Sequence, residues 1–517
     1  MLLTLIFLPL LGIFLIITMQ GPLGDSRAKK VALSVSLLTF VLSLKIWSDF
    51  DSSLMAGSYQ FTQNFTSNEQ VHFGHLKLGV DGISLYFVLL TTFLTPICIL
   101  SNWDTVPVGN LKNANVPFFL SAFLLLESLL LLVFTVCDIL LFYIFFESVL
   151  IPLFLIVGIW GGSSSRVRAA FLLFLYTLFG SLFMLLSFLA IYYHVGSTDF
   201  QVISLTEISL DGPLGQKLIW LGIFLSMAIK TPLLPFHVWL PRAHAEAPLA
   251  GSVILAGLIL KLATYGYMRI LIQFLPDATS FYSPLVQTIS VITLIYASLA
   301  TLRQTDFKAL VAYSSIGHMA VVVLGLFSNT IQGIDGALLL SVAHGVVSPA
   351  LFILVGGVLY DRYHTRIIRY YRGMTAFMPL FSLMFFMFTI FNIAVPLSAN
   401  WAGEFLCLAG AFQRNPIFAV LGSTGIILSA AYSIWLYNRV AFGTFSSYLP
   451  VLQNFTNPSA LLHNKPNKTN YSNTVTDLTR REFMLLLPLL VVAILFGIFP
   501  NILLDQVHAS TSSLLYS

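Results

Sequence analysis

Long apolar windows separated by short polar breaks run almost the full length of the chain. Crossing the hydrocarbon core of a bilayer takes about 20 apolar residues of helix. About fourteen stretches meet that requirement: 2–19, 31–47, 83–100, 118–136, 139–159, 169–192, 218–239, 250–272, 285–302, 309–327, 337–359, 378–412, 417–442 and 483–504. The pattern predicts an all-α polytopic membrane protein forming a single membrane domain. Spans 1–3 occupy 1–116, spans 4–8 occupy 117–273 and spans 9–13 occupy 284–442. A polar inner-face loop follows at 443–482, and 483–517 holds span 14 and a tail.

Composition narrows the class. Of 517 residues 57% are hydrophobic and 9% charged, against about 25% charged in soluble domains, and the mean hydropathy is +0.90. A soluble enzyme, a disordered chain and a disulfide scaffold are excluded. The net charge of +4 is scattered without a basic run, so no nucleic-acid partner is expected. Cys98, Cys137 and Cys407 stand alone in apolar sequence and read as buried thiols. The first apolar stretch precedes its charges, the reverse of a cleavable signal peptide, so it reads as a retained span. With no Arg-rich leader, an organellar home would require synthesis inside the organelle.

Lys and Arg collect in alternate loops of a polytopic protein. Of the 25 here, 18 fall in loops after odd-numbered spans. Five fall at or beyond the ends of even-numbered spans (Lys45, Lys77, Lys217, Arg269 and Arg414), and Lys230 and Lys261 lie deep inside spans. That asymmetry supports fourteen spans with both termini on the outer side. The 446–477 stretch, rich in Asn, Ser, Thr and Pro, reads as a flexible inner-face loop. Its N-x-[ST] matches at Asn454, Asn467 and Asn470 read as chance rather than glycosylation.

Ionisable residues inside spans cost about 2.5–3.5 kcal/mol at mid-bilayer on insertion scales, so each needs a partner, water or a purpose. The candidates are Glu127, Glu147, Lys230, Lys261 and Glu404, with His237, His318 and His344. Each has a plainer reading: Glu127 pairing with a buried cation, Glu147 as a packing ion pair, His318 and His344 as structural histidines sharing faces with Ser314 and with Ser341 and Ser348. Two lysines and two glutamates spread over four spans nonetheless resemble a path. Lysine and carboxylate pKa values move readily in low dielectric, and a Glu–Lys pair of variable separation switches a lysine between holding and releasing a proton.

Prolines add a second pattern. Span 7 is interrupted at Pro232 and Pro235, span 12 at Pro396. The breaks are five spans apart, so equivalent helices in units 4–8 and 9–13 would face opposite ways across the membrane. Paired broken helices point to a midplane site in inverted-repeat transporters. No nucleotide, dinucleotide or zincin motif is present, and His244-Ala245-Glu246 lacks the P-C-x-x-C of zinc deaminases. No metal site or redox cofactor is expected in this chain.

Several segments resemble a known family. Ala228 to Pro241, with Lys230-Thr231-Pro232 and Pro235-Phe236-His237, and its continuation through His244-Ala245-Glu246-Ala247-Pro248 to Lys261, resemble the signature of the antiporter-like membrane-arm subunits of respiratory complex I. Phe145-Phe146-Glu147-Ser148, Leu359-Tyr360-Asp361-Arg362 and Gly403-Glu404-Phe405 are similar to the chain 4 branch of that family. The resemblance implies a proton-translocating subunit of NADH:ubiquinone oxidoreductase. In it Glu147 and Lys230 form a switching ion pair, Lys261 is the central relay lysine and Glu404 the terminal carrier. Glu127, His237, His318 and His344 would support the path, with water and His318 or His344 carrying the proton from Lys230 to Lys261.

By the same resemblance NAD, FMN, iron–sulfur clusters and ubiquinone sit in partner subunits, and the partners include the antiporter-like chains 2 and 5, with lipids around them. The location would be the mitochondrial inner membrane with both termini in the intermembrane space, or alternatively a bacterial inner membrane. Three departures from the family pattern stand out: Arg242 for an acidic residue, Leu397-Ser398-Ala399 for a common Gly-Thr, and Pro349 for a usual Ser. A multisubunit sodium/proton antiporter and a purely structural spacer are the rival readings.

Overall fold

The structure, a computed structural model, describes residues 1–19, 24–52, 58–64, 74, 76–103, 116–206, 213–444 and 476–516. Residues 445–475 of the polar loop expected at 443–482 fall outside them, Asn454, Asn467 and Asn470 included. Among the described residues eleven helices are long and apolar enough to cross a membrane, and Leu2–Thr18 and Pro379–Ile393 are shorter apolar helices.

In chain order the main helices are α1 (Leu2–Thr18), α2 (Gly24–Ser48), α3 (Gly82–Ser101), α4 (Val116–Thr135), α5 (Ile139–Trp160), α6 (Arg166–Val195), α7 (Pro213–Lys230), α8 (Trp239–Glu246) and α9 (Leu249–Ile272). They continue as α10 (Pro276–Arg303), α11 (Phe307–Leu326), α12 (Ile331–Tyr363), α13 (Pro379–Ile393), α14 (Ala399–Arg414), α15 (Pro416–Ala441), α16 (Arg480–Ile498) and α17 (Asn501–Tyr516). Predicted span 7 is therefore α7 with α8, and predicted span 12 is α13 with α14. Helices α9 and α12 are enclosed by protein over the whole of their apolar windows, whereas only 22% of that of α16 is buried. The ionisable residues of the two enclosed helices thus face other side chains and not lipid.

Several expectations need correcting. The chain is not purely helical: Gln60–Asn64 pairs antiparallel with Lys77–Val80, a hairpin too short and polar to stand out from loop sequence. Span 12 is broken at Pro396, where the sequence placed the interruption. Ala394 and Leu397 adopt left-handed φ of 63° and 76° around Pro396, which turns the chain between α13 and α14. Leu397 holds a left-handed geometry that glycine accepts without a Cβ penalty. Span 14 stops at Ile498, because Pro500 has no N–H to continue the ladder, and α17 then runs on from Asn501. Arg269 and Lys308, counted as loop charges, are buried at 3% and 4% exposure.

The connections segregate by end. Those following odd-numbered predicted spans touch one another: Lys29 Nζ donates to the Trp103 carbonyl, Ala250 N to Asn102 Oδ1, Gly162 N to the Glu246 carbonyl, Lys308 Nζ to the Ala247 carbonyl and Arg366 Nη1 to the Ala245 carbonyl. Arg362 joins this end to Glu482. Those following even-numbered spans meet at the other end. There Cys137 N donates to the Lys77 carbonyl, Trp220 Nε1 to Thr279 Oγ1, Gln413 Nε2 to Gln332 Oε1 and Thr511 Oγ1 to Asp335.

One motif occurs twice, once at each end. Asp138 caps α5 through the Leu140 and Leu141 amides, while Ile139 N donates to the Thr198 carbonyl and Phe200 N to the Cys137 carbonyl, around the bridge Asp138–Asp199. Asp306 caps α11 through the Lys308 and Ala309 amides, while Phe307 N donates to the Arg366 carbonyl and Ile368 N to the Thr305 carbonyl, around the bridge Asp306–Ile367.

Candidate proton path

The first break in the membrane helices positions Lys230. Pro232 cannot donate a backbone hydrogen bond, so Leu233 N reaches back to the Ala228 carbonyl, and the Ile229 carbonyl is taken by the Trp239 indole N–H at 2.9 Å. Helix α7 ends on Lys230 itself, whose ammonium lies at the negative end of the helix dipole. Its Nζ donates to the Phe146 carbonyl at 3.1 Å and sits 3.3 Å from the Phe146 ring centroid. The next residue on α5 is Glu147. It stays within Coulombic reach of Lys230 but makes no ion pair with it within 4 Å, and its Oε1 has no hydrogen-bond partner. The expected pair is present as neighbours held apart, with Phe146 filling the contact.

Lys261 occupies the enclosed helix α9, just after a π-helical stretch, Leu255–Ile259. Such wide turns recur at functional sites. Its Nζ donates to the Ala256 carbonyl at 2.5 Å and lies 2.7 Å from His344 Nδ1. The His344 and His318 rings are 5.7 Å apart, and His318 Nδ1 lies 2.7 Å from Glu404 Oε1. Lys261, His344, His318 and Glu404, all four buried, therefore line up across α9, α12, α11 and α14, in direct contact at both ends and with a ring-to-ring gap between the two histidines. On its other nitrogen His318 faces Asn392 Oδ1 at 3.1 Å, while the Asn392 amide N is 3.4 Å from Ser433 Oγ. With the amide so turned, His318 Nε2 donates, and a single proton between Nδ1 and the carboxyl distinguishes imidazolium–carboxylate from a neutral pair. A cavity of about 10 Å³ beside His318 and Glu404, lined also by Ser298, Ser429 and Tyr432, has the volume of about one water.

Small residues make the line possible. A Cβ on Gly345 would meet Leu90 at 2.7 Å and the Gly257 carbonyl at 3.1 Å, and one on Gly257 would press on Leu94. Close helix approach through glycine is the usual solution in membranes, and here it brings Lys261 against His344. Gly345→Val forces α9 and α12 apart at a cost of about 1–3 kcal/mol for overpacking. The expected outcome is a lower thermal midpoint and at least about a threefold loss of proton-coupled turnover, read against NADH oxidation by an artificial acceptor.

The remaining candidates stand apart from this line. Glu127 is fully buried on α4 but takes a hydrogen bond from Thr39 Oγ1 at 2.7 Å instead of pairing with a cation, and its Oε2 is unpartnered. His237 lies in a 3₁₀ turn against Tyr296 and Tyr313, at 5.4 and 6.2 Å between ring centroids. His318 and His344 sit beyond Lys261 and not between it and Lys230, reversing the expected order. Cys98, Cys137 and Cys407 are buried free thiols. No group of three His, Cys, Asp or Glu side chains suited to a metal occurs among the described residues.

Sequence reasoning missed Asn392, Trp239 and Phe146. Asn392 alone left a signal, a polar residue in an apolar window four positions before Pro396. It also missed the buried ion pair between Arg269 and Asp81, in which Asp81 also caps α3 through the Ser84 amide.

Comparison with known proteins identifies the family. Residues 137–429 match a family profile described as the transmembrane region of NADH:quinone oxidoreductase and Mrp antiporters. The chain is 75% identical over 519 residues to NADH-ubiquinone oxidoreductase chain 4 of Mycosarcoma maydis, covering all of both chains. It is 45% identical over 513 residues to that of Marchantia polymorpha, covering 99% of this chain and 96% of the relative. Among solved structures it superposes on a chain of respiratory complex I from Thermus thermophilus with bound NADH at a TM-score of 0.83 and 26% identity, covering 100% and 99% of the two chains. It shares the fold of a chain of the Mrp complex from Dietzia sp. DQ12-45-1b at a TM-score of 0.81 and 17% identity, covering 99% and 97%. The chain belongs to the NADH:quinone oxidoreductase/Mrp antiporter family, within its NADH-ubiquinone oxidoreductase chain 4 branch.

Proposed function

We propose that the chain is a proton-translocating subunit of complex I, coupling electron transfer in other subunits to proton movement across an inner membrane. The observation that carries this reading is the buried series Lys261–His344 and His318–Glu404, two direct contacts whose histidine rings lie 5.7 Å apart. Oxidation of NADH and reduction of ubiquinone take place in partner subunits, where NAD, FMN and iron–sulfur clusters reside. The neighbours include chains 2 and 5, and lipid surrounds the outer helices. The membrane is the mitochondrial inner membrane, with both termini in the intermembrane space. Fourteen crossings are supported by the segregation of the connections into two sets. Inverted units of spans 4–8 and 9–13 are supported by the duplicated aspartate-capped bridges at opposite ends.

The cycle follows from the contacts. While Glu147 approaches Lys230, the carboxylate stabilises the ammonium. When the two separate, only the Phe146 carbonyl and ring hold it, and the lysine gives up its proton through water towards Lys261. Lys261 passes a proton to His344 Nδ1, rotation of a ring brings His344 and His318 into exchange, and His318 delivers it to Glu404. Lys230→Ala is expected to impair pumping-coupled electron transfer in an assembled complex. Full proton stoichiometry in that variant would end the reading. The likeness to the Mrp fold keeps a cation/proton antiporter as the second reading. Recovery of the chain in a megadalton assembly with NADH dehydrogenase activity separates the two.

A further inference from the structure

Helix α15 turns one face outward: Val420, Ile427 and Ile434 are all more than half exposed, and their heptad spacing keeps them on one side of the helix. At the Lys/Arg-rich end this stripe runs into Trp435, itself largely exposed, and Arg439 in the last turn. The two are i and i+4 neighbours, with the guanidinium carbon 3.8 Å from the indole centroid. The connection between α12 and α13 adds charge at the same level. Its turn Ile368–Tyr370 packs on α15, Gly373 N donates to the Phe442 carbonyl and Thr375 Oγ1 to the Ala441 carbonyl. Arg369 and Arg372 of this connection are exposed.

Arg439 lacks an acceptor. Its Nε and Nη2 are enclosed and make no hydrogen bond. An arginine that merely snorkels carries its head into water. Here two donor nitrogens are held back, and unsatisfied charged donors are costly. Asp477 and Glu482, the acidic residues nearest to the start of α16, are engaged elsewhere. Asp477 binds the Leu380 and Phe381 amides at the start of α13, and Glu482 pairs with Arg362. Among the described residues no carboxylate lies within 4 Å of Arg369, Arg372 or Arg439. Residues 445–475, which follow α15 outside the described residues, contain no Asp or Glu.

A phosphate diester supplies what this corner lacks, oxygen acceptors that take paired N–H bonds from a guanidinium. Ile427 lies about 18 Å along α15 from Arg439, close to the ~15 Å of hydrocarbon in one leaflet. We propose that the Trp435–Arg439 end of α15 seats one anionic phospholipid, its phosphate on Arg439 with Arg369 and Arg372 beside it and an acyl chain along Ile434 and Ile427. The Trp435 indole, exposed and stacked on the guanidinium, is the cover that shifts as the phosphate enters. Basic pockets on the positively charged side of a membrane hold anionic headgroups for the same reason. The site uses none of the buried residues of the proton path and is independent of that reading.

The test uses the intact complex in vesicles that contain a phosphatidic acid probe with a diazirine near its glycerol. Irradiation followed by peptide mass spectrometry reads labelling of the segment 434–442. Excess unlabelled phosphatidic acid is expected to suppress that labelling, and an equal excess of phosphatidylcholine to leave it. Arg439→Gln is expected to lower it at least about tenfold, the effect of one lost charge-assisted contact, with Arg439→Lys in between. NADH–ferricyanide activity on a native gel follows assembly. Labelling unchanged in Arg439→Gln overturns the proposal, as does equal suppression by the two lipids, which marks an unselective annular contact. No labelling in the unmodified complex overturns it too, because a neighbouring subunit then covers the face. Suppression by inorganic phosphate overturns the lipid assignment in favour of a free-anion site. If Arg439→Gln fails to assemble, the competition between lipids in the unmodified complex decides.

Discussion

Proton-coupled NADH–ubiquinone turnover is expected to fall about a hundredfold or more in Lys261→Met, with ferricyanide reduction by NADH intact. Methionine fills nearly the same volume in the enclosed helix α9 but cannot bond the Ala256 carbonyl or His344 Nδ1, so the line loses its first member without leaving a hole. The decisive companion is Lys261→Arg. A guanidinium keeps the positive charge but does not surrender its proton at any working pH. If the lysine served only as a fixed charge, arginine would retain turnover; if it carries protons, arginine fails as methionine does. Proton uptake per NADH oxidised and the rate with ubiquinone, measured on the same vesicles, decide between these outcomes.

Arg269→Ala is expected to have the largest effect on stability. The guanidinium is buried against Asp81 and lies 5.2 Å from the Tyr59 ring centroid and 5.9 Å from that of Tyr265. Removing one member of a buried pair strands the other charge, at a cost of about 3–5 kcal/mol. Asp81 also caps α3, the helix packed against the glycine crossing, so the damage extends towards Lys261. The expected result is a marked drop in assembled complex on a native gel and in its thermal midpoint. The double variant Asp81→Asn with Arg269→Gln should recover more than half of the loss, since asparagine still caps a helix and no charge is stranded. A double variant as unstable as Arg269→Ala would show that the pair contributes by shape alone.

Which parts of this architecture could be read from the sequence follows from the range of the interactions. Apolar windows located the helices because each is a local run. Pro232, Pro235 and Pro396 located both breaks because a missing N–H acts within one turn. Lys230, Lys261 and Glu404 stood out because charge in an apolar run is visible locally. The partners did not. His344 lies 83 residues from Lys261 and Glu404 lies 86 from His318, so the order of the line depends on how four helices cross.

Arg269 was misread for a related reason. A basic residue near the end of an apolar window looks like a loop charge until the π-helical turn Tyr267–Ile272 and its distant aspartate are seen. Glu147 was placed one residue away from the group that holds Lys230, because sequence could not tell that the Phe146 carbonyl and ring would take the contact.

The bonding among the loops at the Lys/Arg-rich end limits how the molecule can work. Residues 245–247 alone bind Gly162, Lys308 and Arg366, while Ala250 is tied to Asn102. A rocking transporter swings one half against the other, and such a swing would tear this collar at several seams together. On the proposed reading the molecule would act as a fixed stator more than a hinge, with proton movement left to ring flips and lysine swings inside that frame.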